Sequence, residues 1–99
     1  MLYLMMDESN CTVKVGYSSA PKERRKHYKT HNPSAIMRSV CAGDRTDEAK
    51  CKRHLAKIGN RIKGTEYFTI TEENFLQLYA QGFNFFQKHK GKNKIIESF

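Results

Sequence analysis

The chain has no tryptophan, no C-x-x-C pair, and only ten acidic residues against eighteen Lys and Arg. Its longest apolar run is Leu2–Met6. Each shortage removes a class of protein. A helix that crosses a bilayer needs about 20 apolar residues, so no membrane span is expected. The N-terminal stretch has no basic flank and no small-residue cleavage site, so no secretory signal is expected. The three cysteines, at 11, 41 and 51, are odd in number, whereas a small secreted disulfide framework uses an even count. Reduced thiols in a cytoplasmic compartment fit better. Cys41, Cys51 and His54 could be imagined around zinc, but zinc sites usually show paired ligands at two separate positions. Cysteine as small buried filler is the simpler expectation.

What is present is charge and aromatic residues. The formal net charge is +8 over 99 residues, with 11% aromatics and a sequence pI near 9.6. Such a balance is the electrostatic footprint of a nucleic-acid binder. The length predicts one domain over 1–99. Its core is expected over about 2–82, with a basic, aromatic extension over 83–99.

Hydrophobic patterning orders the elements. Leu2–Met6 reads as a buried strand, Asp7–Asn10 as a polar turn, and Thr12–Tyr17 as an alternating strand with Val13 and Val15 on one face. Two strands across a short polar turn predict an antiparallel hairpin. Ser18–Pro21 opens a helix with a serine cap and an early proline, and Pro33 closes it near His31. Ile36–Ala42 is a third strand. Asp44 or Thr46 caps a second helix that carries Asp47 and Glu48 in its first turn. That helix ends near Ile58, with Gly59 beyond it as a left-handed cap. Asn60–Thr65 reads as a basic loop and Glu66–Ile70 as a fourth strand. A last helix, capped by Thr69 or Thr71, has the stripe Phe75, Leu78, Tyr79. The expected fold is α+β: a small mixed or antiparallel sheet of three to four strands, begun by a hairpin and flanked by about three helices.

The first helix carries the most chemistry. Arg24, His27, Tyr28 and His31 recur at the spacing that shares one helical face. Arginine grips a phosphate through two hydrogen bonds, and histidine or tyrosine can move a proton beside it. Around them stand Lys22, Arg25, Lys26 and Lys29, and further on Arg61 and Lys63, all suited to a phosphate backbone. The hairpin adds Tyr3 on its first strand and Lys14 and Gly16 on its second. A glycine at a strand end lets another group approach closely.

Three stretches occur in a telling order: L-Y-L-M at Leu2–Met5, K-V-G-Y-S at Lys14–Ser18, and P-K-E-R-R-x-x-Y at Pro21–Tyr28. They are followed by Asn32-Pro33 and G-T-E-Y-F at Gly64–Phe68. This order resembles the GIY-YIG nuclease superfamily. More narrowly it resembles a small phage-type branch with K-[IV]-G in place of Y-I-G and a closing G-x-E-[WY]-F strand. The resemblance covers about residues 2–70. It implies a phosphodiester hydrolase acting on DNA with one divalent ion, Mg2+ or Mn2+, in a phage-encoded or other cytoplasmic setting. By position, Tyr3 matches the first-motif tyrosine, Gly16 the second-motif glycine, Arg24 the catalytic arginine and Tyr28 the His/Tyr position one turn on. Met1 stands where relatives have glycine, and Lys14 where many have tyrosine.

The resemblance puts a metal-binding glutamate on the second helix. Helical phase selects Glu48, one turn before Cys51 on the apolar stripe Cys51, Leu55, Ile58. Matching His54 to a family histidine would instead place Lys50 there. Glu66 in the closing strand is the competing carboxylate. The expected function is therefore a metal-dependent DNA endonuclease that nicks or hydrolyses phosphodiester bonds, using Tyr3, Lys14, Arg24, His27, Tyr28 and His31. The alternative is a DNA-binding protein of the same fold without catalysis. DNA is the expected partner, through its backbone and with low sequence specificity.

Overall fold

A computed structural model describes residues 1–31, 34–86 and 95–98, with side chains described for 1–27 and 34–86. In chain order the elements are β1 (Leu2–Asp7), β2 (Thr12–Tyr17), α1 (Pro21–His31), β3 (Ala35–Cys41), α2 (Arg45–Ile58), β4 (Gly59–Arg61), β5 (Phe68–Ile70), α3 (Glu72–Gln81), a 3-10 turn (Gly82–Phe86) and β6 (Ile95–Ser98). The strands form one sheet in the order β4-β5-β2-β1-β3-β6, and every pairing is antiparallel. The α+β arrangement with its opening hairpin and three helices is present. The sheet is wider than the three or four strands expected.

β1 is central, and all six of its residues are buried. That explains why it reads as a continuous apolar run rather than an alternation. Leu2, Leu4 and Met6 point to one face, where they join Val13, Val15, Leu55, Phe75, Leu78, Phe83 and Phe85. Tyr3 and Met5 point to the other, with Ala35, Met37 and Val40. Met37 and Val40 are three apart, a spacing a regular strand would send to opposite faces. A bulge resolves this: Leu4 pairs with Ser39 and Met5 with Met37, so Arg38 is the extra residue. Arg38 uses the added reach to donate from Nε to the Tyr79 carbonyl at 2.6 Å and to lie over the Tyr79 ring. Tyr79 is thereby an exposed partner of Arg38 rather than part of the α3 stripe; Phe75 and Leu78 alone carry that stripe into the core.

The helix ends follow local chemistry. Asp44, not Thr46, caps α2 through a reciprocal pair with Asp47, each side chain accepting from the other's backbone N–H at 3.0 Å. Thr71, not Thr69, caps α3 by accepting from Asn74. Ser18 shapes the turn before α1 by accepting from the Ala20 N–H, while the helix's first turn closes on the Ala20 carbonyl.

Gly59 corrects one expectation. It is extended (φ −159°, ψ −166°) rather than left-handed, so the chain leaves α2 directly into β4, where a loop was expected. A Cβ at Gly59 would lie 2.7 Å from Ile70 Cγ2 and collide with the Thr69 carbonyl, so the glycine serves close strand approach. β5 correspondingly starts at Phe68, two residues later than expected, and leaves Glu66 in the preceding turn.

Candidate active site at the edge of β2

β2 pairs with β5 only at Thr12 and Val13. Among the described residues, the remainder of that edge, Lys14 to Tyr17, has no strand partner. Three features converge there. The first is Tyr3 against Gly16, partners across the β1–β2 ladder. A Cβ at Gly16 would fall within the Tyr3 ring, 2.7 Å from Cε2 and closer still to Cζ and the hydroxyl. Glycine is thus required for the ring to lie across the strand. Tyr3 is only 3% exposed.

The second feature is the turn before β5. Gly64 has φ +81° with open space around it, a conformation that favours glycine. The Ile62 N–H donates to the Tyr67 carbonyl at 2.8 Å and the Thr65 N–H to the Ile62 carbonyl at 3.0 Å. The Thr65 hydroxyl also donates to Ile62, at 2.9 Å, and accepts from the Tyr67 N–H at 3.1 Å. This tight turn brings Glu66 to the β2 edge, and Tyr67 packs with the Tyr3 cluster.

The third is an alternating row of charges round that edge. The Lys14 ammonium lies 3.6 Å from Glu66 Oε2. Lys52 Nζ donates to Glu66 Oε1 at 2.7 Å and lies 3.4 Å from Glu48 Oε2. Arg45 stands 3.9 Å from Glu48 Oε1 and stacks on the Tyr17 ring. The Lys14 and Glu48 side chains are 14% and 13% exposed, Lys52 29% and Glu66 55%. The hydrogen bond from Lys52 is the main reason the Glu66 carboxyl sits below its ordinary value, with the Lys52 and Lys14 charges adding to it against a burial effect of opposite sign. Burial alone would lower the Lys52 ammonium; the Glu66 hydrogen bond and the charges of Glu66 and Glu48 outweigh it and raise it. Both groups are charged at neutral pH.

The structure therefore gathers Tyr3, Gly16, Lys14, Glu66 and Glu48 into one region, where Glu66 is the carboxylate beside Lys14. Helical phase does turn Glu48 inward on the Cys51–Leu55 stripe, and Lys50 is exposed on the outside of α2. Glu48 pairs with Arg45 and Lys52, however, and the Glu66 turn reaches Lys14. Lys52, which links the two carboxylates, escaped the sequence reading because its partners are set by the turn and not by helical spacing alone. Arg24, His27, Lys22, Arg25 and Lys26 are exposed along α1, and Arg61 and Lys63 along β4 and the turn after it. The side chains of Tyr28, Lys29 and His31, and the Asn32-Pro33 step, lie outside the described residues. The thiols of Cys41 and Cys51 are buried in the core, and burial pushes each up to about 12. The His54 ring packs edge-on against Phe85 and Phe86. A separate cavity of about 160 Å³ lies at the opposite end of β1, lined by Met6, Glu8, Ser34, Ile36, Phe75 and Tyr79.

Residues 1–81 match the T5orf172 domain. The chain belongs to the T5orf172 domain family. This family is found in phage proteins and is associated with nuclease-like, GIY-YIG-like folds. No curated relative and no solved structure matches the chain. The T5orf172 match ends at 81, the last residue of α3, and so takes in every side chain of the β2-edge cluster. Membership points to a nuclease or DNA-binding role and to interaction with DNA. Among the described residues, no helix of this T5orf172 domain is long and apolar enough to cross a membrane.

Proposed function

We propose that this T5orf172 domain is a GIY-YIG-type, metal-dependent DNA endonuclease whose active site is the unpaired edge of β2. The observation that carries the reading is the convergence of Tyr3 on Gly16 with the Lys14–Glu66–Lys52–Glu48 row, because Tyr3, Lys14, Gly16 and Glu66 come from the motifs that resemble the nuclease superfamily. Lys14 offers a compact cation to a phosphate oxygen. Arg24, exposed one turn into α1, stabilises the charge that develops on the phosphoryl group. His27, three residues on, is the described group suited to move a proton. Tyr3 is shut away from solvent; it acts by holding the β1–β2 pair in register beneath Lys14. The exposed cations of α1, Arg61 and Lys63 track the DNA backbone.

Two carboxylates are the donors this reading gives a divalent ion; among the described residues no group of three or more His, Cys, Asp or Glu gathers around one point. Magnesium takes one or two carboxylates and completes its shell with water and phosphate, and Glu48 and Glu66 already share one cation, the Lys52 ammonium. Glu66 and Glu48 would hold the ion. When bound, it supplies a Lewis acid for the phosphoryl oxygen and acidifies a water in its shell.

A second reading is a DNA-binding domain without catalysis. The observation that favours it is that Lys14, at the position where many members of the nuclease superfamily it resembles have tyrosine, is engaged with Glu66. Supercoiled plasmid separates the two. Incubation with Mg2+ or Mn2+ gives nicked or linear product that EDTA abolishes if the domain is a nuclease. Retarded but intact plasmid under all conditions supports the second reading.

A further inference from the structure

The row at the β2 edge alternates in sign along its whole length: Arg45, Glu48, Lys52, Glu66, Lys14. Each of the four carboxylate oxygens faces a cation, and the row sums to one positive charge. An isolated pair of carboxylates would attract a divalent ion. This pair is already neutralised, and Lys52 lies between its members. We propose that Lys52 is an internal competitor for the divalent ion, and that DNA relieves this competition, so that metal and DNA bind the site cooperatively. This inference rests on the reading of Glu48 and Glu66 as the ion-holding carboxylates.

A divalent ion entering between Glu48 and Glu66 must displace the Lys52 ammonium, and without DNA it raises the local charge from +1 to +3 if every cation stays near. In a partly buried cluster that charge is poorly screened. A DNA phosphate changes both conditions: it adds negative charge, and it offers the displaced ammonium a new oxygen. Lys52 can make the move because its charge sits on a flexible four-carbon stem at the accessible surface of α2. The coupling is then reciprocal: DNA tightens metal binding by the same factor that metal tightens DNA binding. A Lys52 that served only as a surface ion pair would produce no such linkage.

The test reads metal binding rather than cleavage. Mn2+ affinity is measured by the loss of its free electron-spin resonance signal, with and without a short duplex and corrected for Mn2+ bound by the duplex alone. All proteins carry Arg24→Ala so that cleavage is slow on the timescale of the measurement. Without DNA, Lys52→Met is expected to bind Mn2+ at least tenfold tighter than its parent, and Lys52→Arg about as the parent does. The duplex is expected to tighten the parent at least tenfold and Lys52→Met less than threefold. Lys52→Gln, which keeps a polar head without charge, should follow Lys52→Met, so one poorly folding variant does not decide the result. Unchanged or weaker Mn2+ binding in folded Lys52→Met and Lys52→Gln overturns the proposal, as does an equal response to DNA with and without Lys52. If Glu66→Gln abolishes Mn2+ binding while Lys52 has no influence, this proposal alone fails. If no protein binds Mn2+ with or without DNA, the metal reading of the site fails with it.

Discussion

Replacing Gly16 by alanine tests whether the Tyr3–Gly16 contact builds the site. The new Cβ would occupy the Tyr3 ring, 2.7 Å from Cε2, well inside an ordinary carbon–carbon contact of about 3.5–4.0 Å. The ring is buried, 3% exposed, so either it leaves its rotamer or β2 shifts away from β1. Overpacking of this kind costs about 1–3 kcal/mol. Replacing a glycine inside a strand returns about 0.5–1 kcal/mol. At mid-range the net expectation is a loss of about 1 kcal/mol, or about 4–8 °C in Tm for a domain of this size. Tyr3→Leu removes the atoms that collide. In that background Gly16→Ala should cost nothing or stabilise slightly, giving a coupling energy of about 1–2 kcal/mol in a double-mutant cycle. Thermal unfolding of the four proteins is the assay. Gly16→Ala as stable as the parent, or equally costly in both backgrounds, would mean that the Tyr3 ring does not limit the space at Gly16.

Other outcomes follow from the same geometry. Arg24→Ala should cut plasmid about 10²–10³-fold more slowly with an unchanged melting temperature, since Arg24 is exposed on α1; equal rates would remove it from the chemistry. Binding to random-sequence DNA should weaken steeply between about 50 and 200 mM salt, and a flat response would argue against backbone contacts. In the native protein at pH 8 a thiol reagent should modify the half-buried Cys11 well before Cys41 and Cys51. The two buried thiols stay protonated up to about 12 when folded and ionise from 9.0 when unfolded. The unfolded chain therefore binds fewer protons above pH 9, and stability falls there by up to about 1.4 kcal/mol per pH unit for each thiol. Unchanged denaturant midpoints between pH 8.5 and 10.5 would contradict this.

The parts of the fold legible in the sequence are those set by neighbours in the chain. The alternation of Val13 and Val15, the unbroken apolar β1 and the Cys51–Leu55 spacing each report a local period, and each element forms as the period implies. The inward phase of Glu48 was legible for the same reason. β4 was not: three residues led by a glycine carry no strand signal, and their pairing depends on β5 lying alongside. The Arg38 bulge was hidden likewise, because only the pairing of β3 with β1 shows that Met37 and Val40 share a face. At the site, Lys14 and Glu66 are 52 residues apart, and their meeting depends on the tight turn at Gly64. Lys52 reads as one more lysine on a basic helix until that turn supplies its second partner. The motif order nevertheless brought Tyr3, Gly16, Lys14 and Glu66 together, since each lies in a stretch quoted for its resemblance to one superfamily.

The carboxylate beside Lys14 is proposed to belong to a phosphodiester-cleaving site. Plasmid nicking by Glu66→Gln, run beside Glu48→Gln and the parent at matched DNA occupancy in Mg2+, tests it most directly. Glu66→Gln is expected to retain DNA binding and to lose cleavage by about 10²-fold or more, the scale on which single electrostatic groups act in such sites. Nicking by Glu66→Gln at the parent rate, with DNA equally bound, would contradict it.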